Sequence, residues 1–262
     1  MSNGSTDAEE TARLPQESAA VARPAGVAAR LKPRDAASLI LLDRSTTPLR
    51  VLVGRRATRH VFMPGLHVFP GGRRDAADLR QPLARPLPAQ VQERLLAALG
   101  PRGSGRLAQA IAIAALRELK EETGLCIGRL LPGEGPAPVE GGARKSATNS
   151  RPGLGFLPDA ANLRYIARAV TPPGHVRRYD THFFAAFADE VGLSGQAARD
   201  SHELEELQWL ALNMAHMVPM ADITRIILAD LEQRLAADPA LALASPIPFY
   251  HSQRGRLVRD LM

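Results

Sequence analysis

Short apolar runs separated by turn-forming residues open the ordered part of the chain. Residues 37–42 (ASLILL) have the pattern of a buried strand, 43–48 (DRSTTP) that of a turn, and 49–53 (LRVLV) that of a second strand. This order predicts a β-hairpin. Residues 66–69 predict a further brief strand that leads directly into a Pro-Gly-Gly loop.

Apolar residues at helical spacing predict three helices. The first is short and ends at Gly100, the second runs from about residue 107 to 123 with Gly124 as its C′ residue, and the third lies near the C-terminus. The residues that set the first and third patterns are Val91, Leu95 and Leu99, and Ile223, Ile227, Leu231 and Leu235.

Strand-like runs return in the second half of the chain, at 163–171, 179–187 and 207–212. Before them, residues 130–158 hold five prolines and six glycines, which predicts a long mobile loop or linker and no packed element. The order strands, helix, strands, helix predicts an α/β fold, a sandwich around a mixed sheet, and not a regular βαβ array.

The composition bounds the domain organisation. Residues 1–34 contain no Ile, Phe, Tyr or Trp and are predicted to form a disordered tail. We expect one domain over 35–240 and a C-terminal extension over 241–262. Apolar residues make up 45% of the chain, enough for a core, but no apolar run is long enough to span a membrane.

Charge and cysteine content narrow the class of protein. The net charge is +6, and 30 of the 33 cationic residues are arginine, which fits either a coding bias or a polyanionic partner. Cys126 is the sole cysteine, so a disulfide framework and a thiolate zinc site are excluded and a reducing, cytoplasmic setting is expected.

Three glutamates crowd the end of the second helix. At about 100° per residue, Glu118, Glu121 and Glu122 share one face, and Arg117 and Lys120 project away from it. The like-charged i, i+4 pair costs about 0.2–0.5 kcal/mol, and the helix dipole disfavours acids here by about 0.3–1 kcal/mol each. A divalent cation such as Mg²⁺ would compensate them, whereas the alternative is a solvated acidic face. The apolar face opposite them comprises Ala112, Ile113, Leu116 and Leu119.

The sequence around these glutamates carries a family resemblance. Residues 117–125 (RELKEETGL) match the second half of the Nudix box, Arg-Glu-U-x-Glu-Glu-x-Gly-U with U aliphatic, at every specified position. Residues 69–72 (FPGG) resemble the strand and loop that open the box. The chain is thus identified as a member of the Nudix hydrolases, which implies a Nudix-type α/β/α sandwich with a mixed sheet.

The spacing departs from the family pattern, Gly-x5-Glu-x7-Arg. If the box opens at Gly72, Asp78 stands at the glutamate position and 38 residues separate it from Arg117. The insert then covers about 79–105 and contains the first predicted helix. This register leaves open whether Asp75 or Asp78 joins the metal site.

A rival register keeps the family spacing intact. It opens the box at Gly103 and places Gln109 at the carboxylate position. No strand precedes Gly103, whereas Gly72 follows one as in the family, so the Gly72 register is preferred.

The long insert resembles the branch that includes peroxisomal acyl-CoA diphosphatases. The chain lacks the peroxisomal C-terminal signal, which favours a bacterial-type cytoplasmic enzyme. The resemblance implies Mg²⁺- or Mn²⁺-dependent hydrolysis of CoA or acyl-CoA at the diphosphate. Alternatives are ADP-ribose, NADH or a dinucleoside polyphosphate as substrate, or a non-catalytic module that binds nucleotides or RNA.

The resemblance also implies roles for individual residues. The expected metal ligands are Glu118, Glu121 and Glu122, with Arg117 orienting a glutamate. Candidate substrate-binding residues are Arg55, Arg56, Gly71, Gly72, Arg177 and Arg178. The general base is left open among Glu121, Glu122, Glu203, Glu205 and Glu206. We expect a small-molecule diphosphate substrate, a possible homodimer, and neither a membrane nor a nucleic-acid partner.

Overall fold

A computed structural model describes residues 31–58, 63–131, 155–242 and 245–262. The helices in these ranges are α1 (Ala89–Leu99), α2 (Gly105–Thr123) and α3 (Asp222–Ala237). The strands are β1 (Arg34–Asp43), β2 (Arg50–Arg56), β3 (His67–Val68), β4 (Gly71–Arg73), β5 (Gly128–Leu130), β6 (Phe156–Pro158), β7 (Arg164–Val170), β8 (Tyr179–Phe187), β9 (Leu204–Ala211), β10 (Pro248–Gln253) and β11 (Arg256–Leu261).

A mixed sheet forms the middle layer, in the order β11-β10-β7-β8-β1-β2-β3, with β4 paired to β1 and β9 to β2. The β1–β8 and β10–β7 pairs are parallel. Alternate residues of β1 face opposite layers: Leu39 and Leu41 pack in the core with α1 and α2, and Ile40 and Leu42 pack in the core with α3. The predicted α/β/α sandwich with a mixed sheet is confirmed.

Local sequence signals account for the elements around the site. The predicted hairpin forms, with Leu42 opposite Val51. Helix α2 begins after Ser104, whose hydroxyl accepts a hydrogen bond from the Leu107 amide at 3.1 Å, and it ends at Gly124, which has a φ of 74°. Because this left-handed residue stops the helix, the glutamates occupy its last turns.

The inserted segment contributes to the core. Val91, Leu95 and Leu99 of α1 are buried, as the helical spacing predicts, and α1 packs beside α2. Within the described ranges, no helix is both long and apolar enough to cross a bilayer.

Two boundaries differ from the sequence predictions. Residues 241–262 are more than an extension, because β10 pairs with β7 and buries Tyr250 in the core, and β11 completes the sheet. The predicted 130–158 loop is wrong at both ends: β5 pairs with β6, where Phe156 is fully buried under the Lys120 ammonium. β5, β6 and β10 are short strands with a partner distant in sequence, and β11 pairs with β10 across the turn at Arg254 and Gly255. Residues 132–154 of that loop, and residues 1–30 of the predicted tail, lie outside the described ranges.

Candidate functional site

The end of α2 meets the Gly-Gly strand β4. The amide of Gly71 donates a hydrogen bond to Glu122 Oε2 at 2.8 Å. A Cβ on Gly72 would lie 2.3 Å from Glu118 Oε1, so only glycine allows this carboxylate so close to the backbone. The two glutamates are thereby fixed against β4, which itself pairs with the central strand β1.

Both of these carboxyl groups are buried. Glu118 is 9% exposed and Glu122 is 3% exposed. Burial raises the pKa of Glu118 to about 7, against the opposing effect of Arg117. Burial and the charge of Glu118 raise the pKa of Glu122 to about 8, with the Gly71 hydrogen bond acting in the opposite direction. The local structure therefore holds two like charges that its own partners do not fully compensate.

Arg117 is the main positive charge beside the pair. Its guanidinium donates to Glu118 at 2.7 Å, to Glu121 at 3.1 Å and to the Arg73 carbonyl at 2.9 Å. Burial acts to lower the pKa of Arg117, but hydrogen bonds and charge from Asp78 and Glu118 outweigh burial and raise it. The sequence prediction that Arg117 projects away from the glutamates is wrong, because its long side chain reaches Glu118 and, one turn later, Glu121.

Asp78 reaches the site across the insert. Its carboxylate accepts hydrogen bonds from Arg117 at 3.1 and 3.3 Å and is 1% exposed. Asp78 therefore acts on the glutamates through Arg117, whereas Asp75 pairs with Arg73 nearer the surface. This contact supports the Gly72 register, since Gly103 lies at the end of a 3₁₀ turn before α2.

Glu121 differs from the other two glutamates. Its side chain is 54% exposed and is bound to Arg117. In the described part of the chain, no three His, Cys, Asp or Glu side chains are grouped as ligands for one metal ion. Glu121 therefore lies at the exposed side of the helix end, whereas Glu118 and Glu122 lie against β4.

The remaining pair still suits a hard cation. Mg²⁺ takes one or two carboxylates and completes its shell with water and substrate phosphate oxygens. Glu118 and Glu122 supply two such carboxylates, and their raised pKa values mark a site that a cation would stabilise.

Only one of the candidate substrate arginines lies beside the pair. The charge of Arg56 lowers the pKa of Glu122, and its buried Nε has no hydrogen-bond partner among the described residues. Arg55 points elsewhere and forms ion pairs with Glu205 at 3.3 Å and Glu206 at 2.7 Å.

Arg177 and Arg178 lie at a different place. They precede β8, and the Arg178 carbonyl accepts a hydrogen bond from the Arg34 amide at the start of β1. Arg34 lies four residues, or about 13 Å, along β1 from Ser38, which pairs with Gly71 of β4. The Arg178 guanidinium donates to the carbonyls of Thr171 and Leu31. The structure thus does not bring these two arginines to the glutamate pair.

The glutamates considered as general base lie in two different environments. The charge of Glu203 contributes to the raised pKa of both Glu118 and Glu122, so this exposed residue lies near the pair. Glu205 and Glu206 are held by Arg55.

Sequence reasoning missed a group of arginines around β4 that includes Arg73 and Arg74. Their signal was present, because they follow Gly72 directly in the sequence.

Comparisons with known proteins bear on the fold and the family of the chain. No protein-family model matches the chain. The chain is 30% identical over 229 residues to the acyl-coenzyme A diphosphatase NUDT19 of Gallus gallus. The match covers 67% of this chain and 60% of that protein. It is similar to the crystal structure of a NUDIX hydrolase from Alicyclobacillus acidocaldarius, with 28% identity, a TM-score of 0.53 and coverage of 78% of this chain and 92% of that one. The chain thus spans about 60% of the length of the curated relative.

Proposed function

The chain belongs to the Nudix hydrolase family, and from that premise we propose that it hydrolyses the diphosphate bond of CoA or acyl-CoA. The observation that carries the proposal is the pair of buried carboxylates, Glu118 and Glu122, held against Gly71 and Gly72. The similarity to an acyl-coenzyme A diphosphatase supports the substrate class.

Folding alone gives no reason to keep this pair. Moving a carboxylate out of water costs several kcal/mol in proteins unless partners compensate it. Glu122 receives one backbone hydrogen bond, and Arg117 divides its donors among Glu118, Glu121 and Asp78. Strongly perturbed carboxyl groups beside a glycine-lined backbone are typical of functional sites.

We propose that Glu118 and Glu122 hold Mg²⁺ or Mn²⁺, with Glu121 at the exposed edge of the site. When bound, the ion would neutralise charge on the diphosphate oxygens and orient the attacking water. Arg117 holds Glu118 in place, and Asp78 holds Arg117.

The other roles fall to residues around the pair. Arg56 is proposed to bind a phosphate oxygen, since its Nε lacks a partner among the described residues. Gly71 and Gly72 place the two carboxylates, since Glu122 binds the Gly71 amide and Glu118 fills the space beside Gly72. Glu203 is the proposed base that takes the proton of the attacking water, because Glu205 and Glu206 are already ion-paired with Arg55. The single cysteine favours a cytoplasmic enzyme.

A substrate panel with Mg²⁺ tests the proposal. We expect release of adenosine 3′,5′-bisphosphate and a phosphopantetheine fragment from CoA, with kcat at least ~100-fold lower in Glu122→Gln, a loss of about 2.7 kcal/mol of barrier stabilisation. Glu232→Gln, on an exposed position of α3, is the matched control and should keep full activity.

The remaining results of the panel each contradict part of the proposal. Turnover confined to ADP-ribose, NADH or dinucleoside polyphosphates would keep the chemistry and change the substrate. Absence of turnover on every diphosphate, together with metal-independent RNA binding, would make the chain a non-catalytic module.

A further inference from the structure

A cavity lined by arginines lies along β4 from the glutamate pair. This arginine cavity has a volume of about 370 Å³. Its charged lining consists of Arg34, Arg73, Arg74, Arg102, Asp35 and Asp75. Four guanidinium groups against two carboxylates leave two positive charges in excess, so the cavity is suited to a dianion.

Internal contacts preorganise the arginines of this cavity. Arg102 donates to Asp35 at 2.8 Å and to Asp180 at 3.0 Å, which fixes its guanidinium at the rim. Arg74 donates to the Asp75 carbonyl at 3.1 Å, and its Nε lies 3.5 Å from the Asp35 carboxylate in an ion pair. Asp35 therefore holds both Arg74 and Arg102 at the cavity before any anion binds.

The arginine cavity is next to the proposed reaction centre. Gly72 packs against Glu118, and the carbonyl of the following residue, Arg73, accepts a hydrogen bond from Arg117 at 2.9 Å. A strand rises about 3.3 Å per residue, so Arg73 and Arg74 lie about 3–7 Å along the chain from Gly72. Two phosphate groups on one ribose are separated by a comparable span.

We propose that the arginine cavity binds a phosphate monoester on the ribose of the substrate, separate from the diphosphate that is cleaved. This inference rests on the proposed function and deepens it. A phosphate monoester carries a charge of about −1.5 to −2 at pH 7, which matches the excess of two positive charges. Arginine forks bind such groups through paired hydrogen bonds. CoA carries a ribose 3′-phosphate that ADP-ribose and NADH lack, so the cavity would select CoA among the candidates.

Paired kinetics on CoA and 3′-dephospho-CoA test the inference. The variant is Arg34→Gln/Arg73→Gln, because both side chains are exposed and neither belongs to the glutamate site. The control is Arg85→Gln/Arg225→Gln, two exposed arginines in surface ion pairs elsewhere. We expect KM for CoA to rise ~10-fold in the variant, about 1.4 kcal/mol, with kcat and the KM for 3′-dephospho-CoA unchanged. Equal changes for both substrates, or none, would overturn the inference.

Calorimetry gives a readout that does not depend on turnover. Wild-type protein should bind adenosine 3′,5′-bisphosphate ~10-fold more tightly than AMP, and the variant should bind both equally. Inorganic phosphate added as competitor should weaken bisphosphate binding in the wild type.

The two proposals fail in different ways. If the wild type cleaves no diphosphate but keeps the bisphosphate preference, the proposed function is wrong and the cavity remains a phosphate site. If it cleaves CoA and the variant keeps the wild-type preference, the cavity does not read the ribose phosphate.

Discussion

Single residues determine how closely the backbone approaches the carboxylates. The prediction of Glu118 and Glu122 as metal ligands rests on a long and specific motif, and the structure places both carboxylates against β4. The pairing of Asp78 with Arg117 could not be predicted, because 38 residues separate the two in the sequence. The exposed position of Glu121 also escaped prediction, since a helical projection gives the direction of a residue but not which directions are covered.

Gly72→Ala tests the close approach. The added methyl group would lie 2.3 Å from Glu118 Oε1, and Arg117 pins that carboxylate, so the carboxylate must be displaced. Misplacement by about 1 Å costs ~100-fold in catalysis, and we expect that loss in kcat with a folded protein by circular dichroism. Gly105→Ala, whose Cβ would lie 3.8 Å from Gln92 Nε2, is the control and should remain active. Full activity in Gly72→Ala would contradict this geometry.

Asp78→Asn tests the support of Arg117. Removal of one partner from a buried ion pair costs about 3–5 kcal/mol, and urea unfolding should show a loss of that order. Asp189→Asn breaks an exposed pair with Arg44 and should cost less than about 1 kcal/mol. If the two variants lose equal stability, Asp78 does not hold Arg117 as described.

At the scale of elements, patterns of helical spacing predicted α1, α2 and α3 well, because each covers several turns. The short strands β5, β6, β10 and β11 were missed. β5, β6 and β10 have a partner distant in sequence, whereas β11 pairs with the adjacent β10. No pattern in the sequence predicted the buried polar cluster between β7 and β8. There His182 Nδ1 lies 2.8 Å from the Tyr165 hydroxyl, and Arg168 binds Asp180 through two contacts of 2.8 Å.

This cluster makes folding stability depend on pH. Burial lowers the pKa of His182 to about 4, with Asp180 and Asp35 opposing the shift and Arg168 and Arg102 adding to it. Between pH 6.5 and about 4 the unfolded chain binds a proton at His182 that the folded protein does not. The unfolding free energy should therefore fall with decreasing pH, by up to about 1.4 kcal/mol per unit from this residue.

Urea unfolding from pH 7 to 5 measures the effect. His182→Gln should have a shallower slope than wild type, whereas Gln233→Ala, which changes an exposed residue of α3 that does not titrate, should retain the wild-type slope. An unchanged slope in His182→Gln would contradict the lowered pKa of this histidine in the fold.

At the scale of the whole molecule, the sheet extends to the end of the chain. Truncation after Ser245 removes β10 and β11, uncovers β7 and deletes the fully buried Tyr250. Loss of one large buried aromatic costs about 3–5 kcal/mol, so Tm should fall by about 6–20 °C in a scanning calorimeter. Leu261→Ala, which changes a side chain that is 60% exposed, is the control. An unchanged Tm on truncation would restore 241–262 as a separate extension.

Arg117 and Arg56 compensate the charge of the Glu118–Glu122 pair only in part. The central claim is that this pair binds a divalent cation. Mn²⁺ binding followed by electron paramagnetic resonance tests it most directly, in wild-type protein and in Glu118→Gln/Glu122→Gln. We expect the double variant to bind Mn²⁺ at least ~10-fold more weakly while it remains folded, because both carboxylate ligands are neutral. Equal Mn²⁺ affinity in the two proteins would contradict the account.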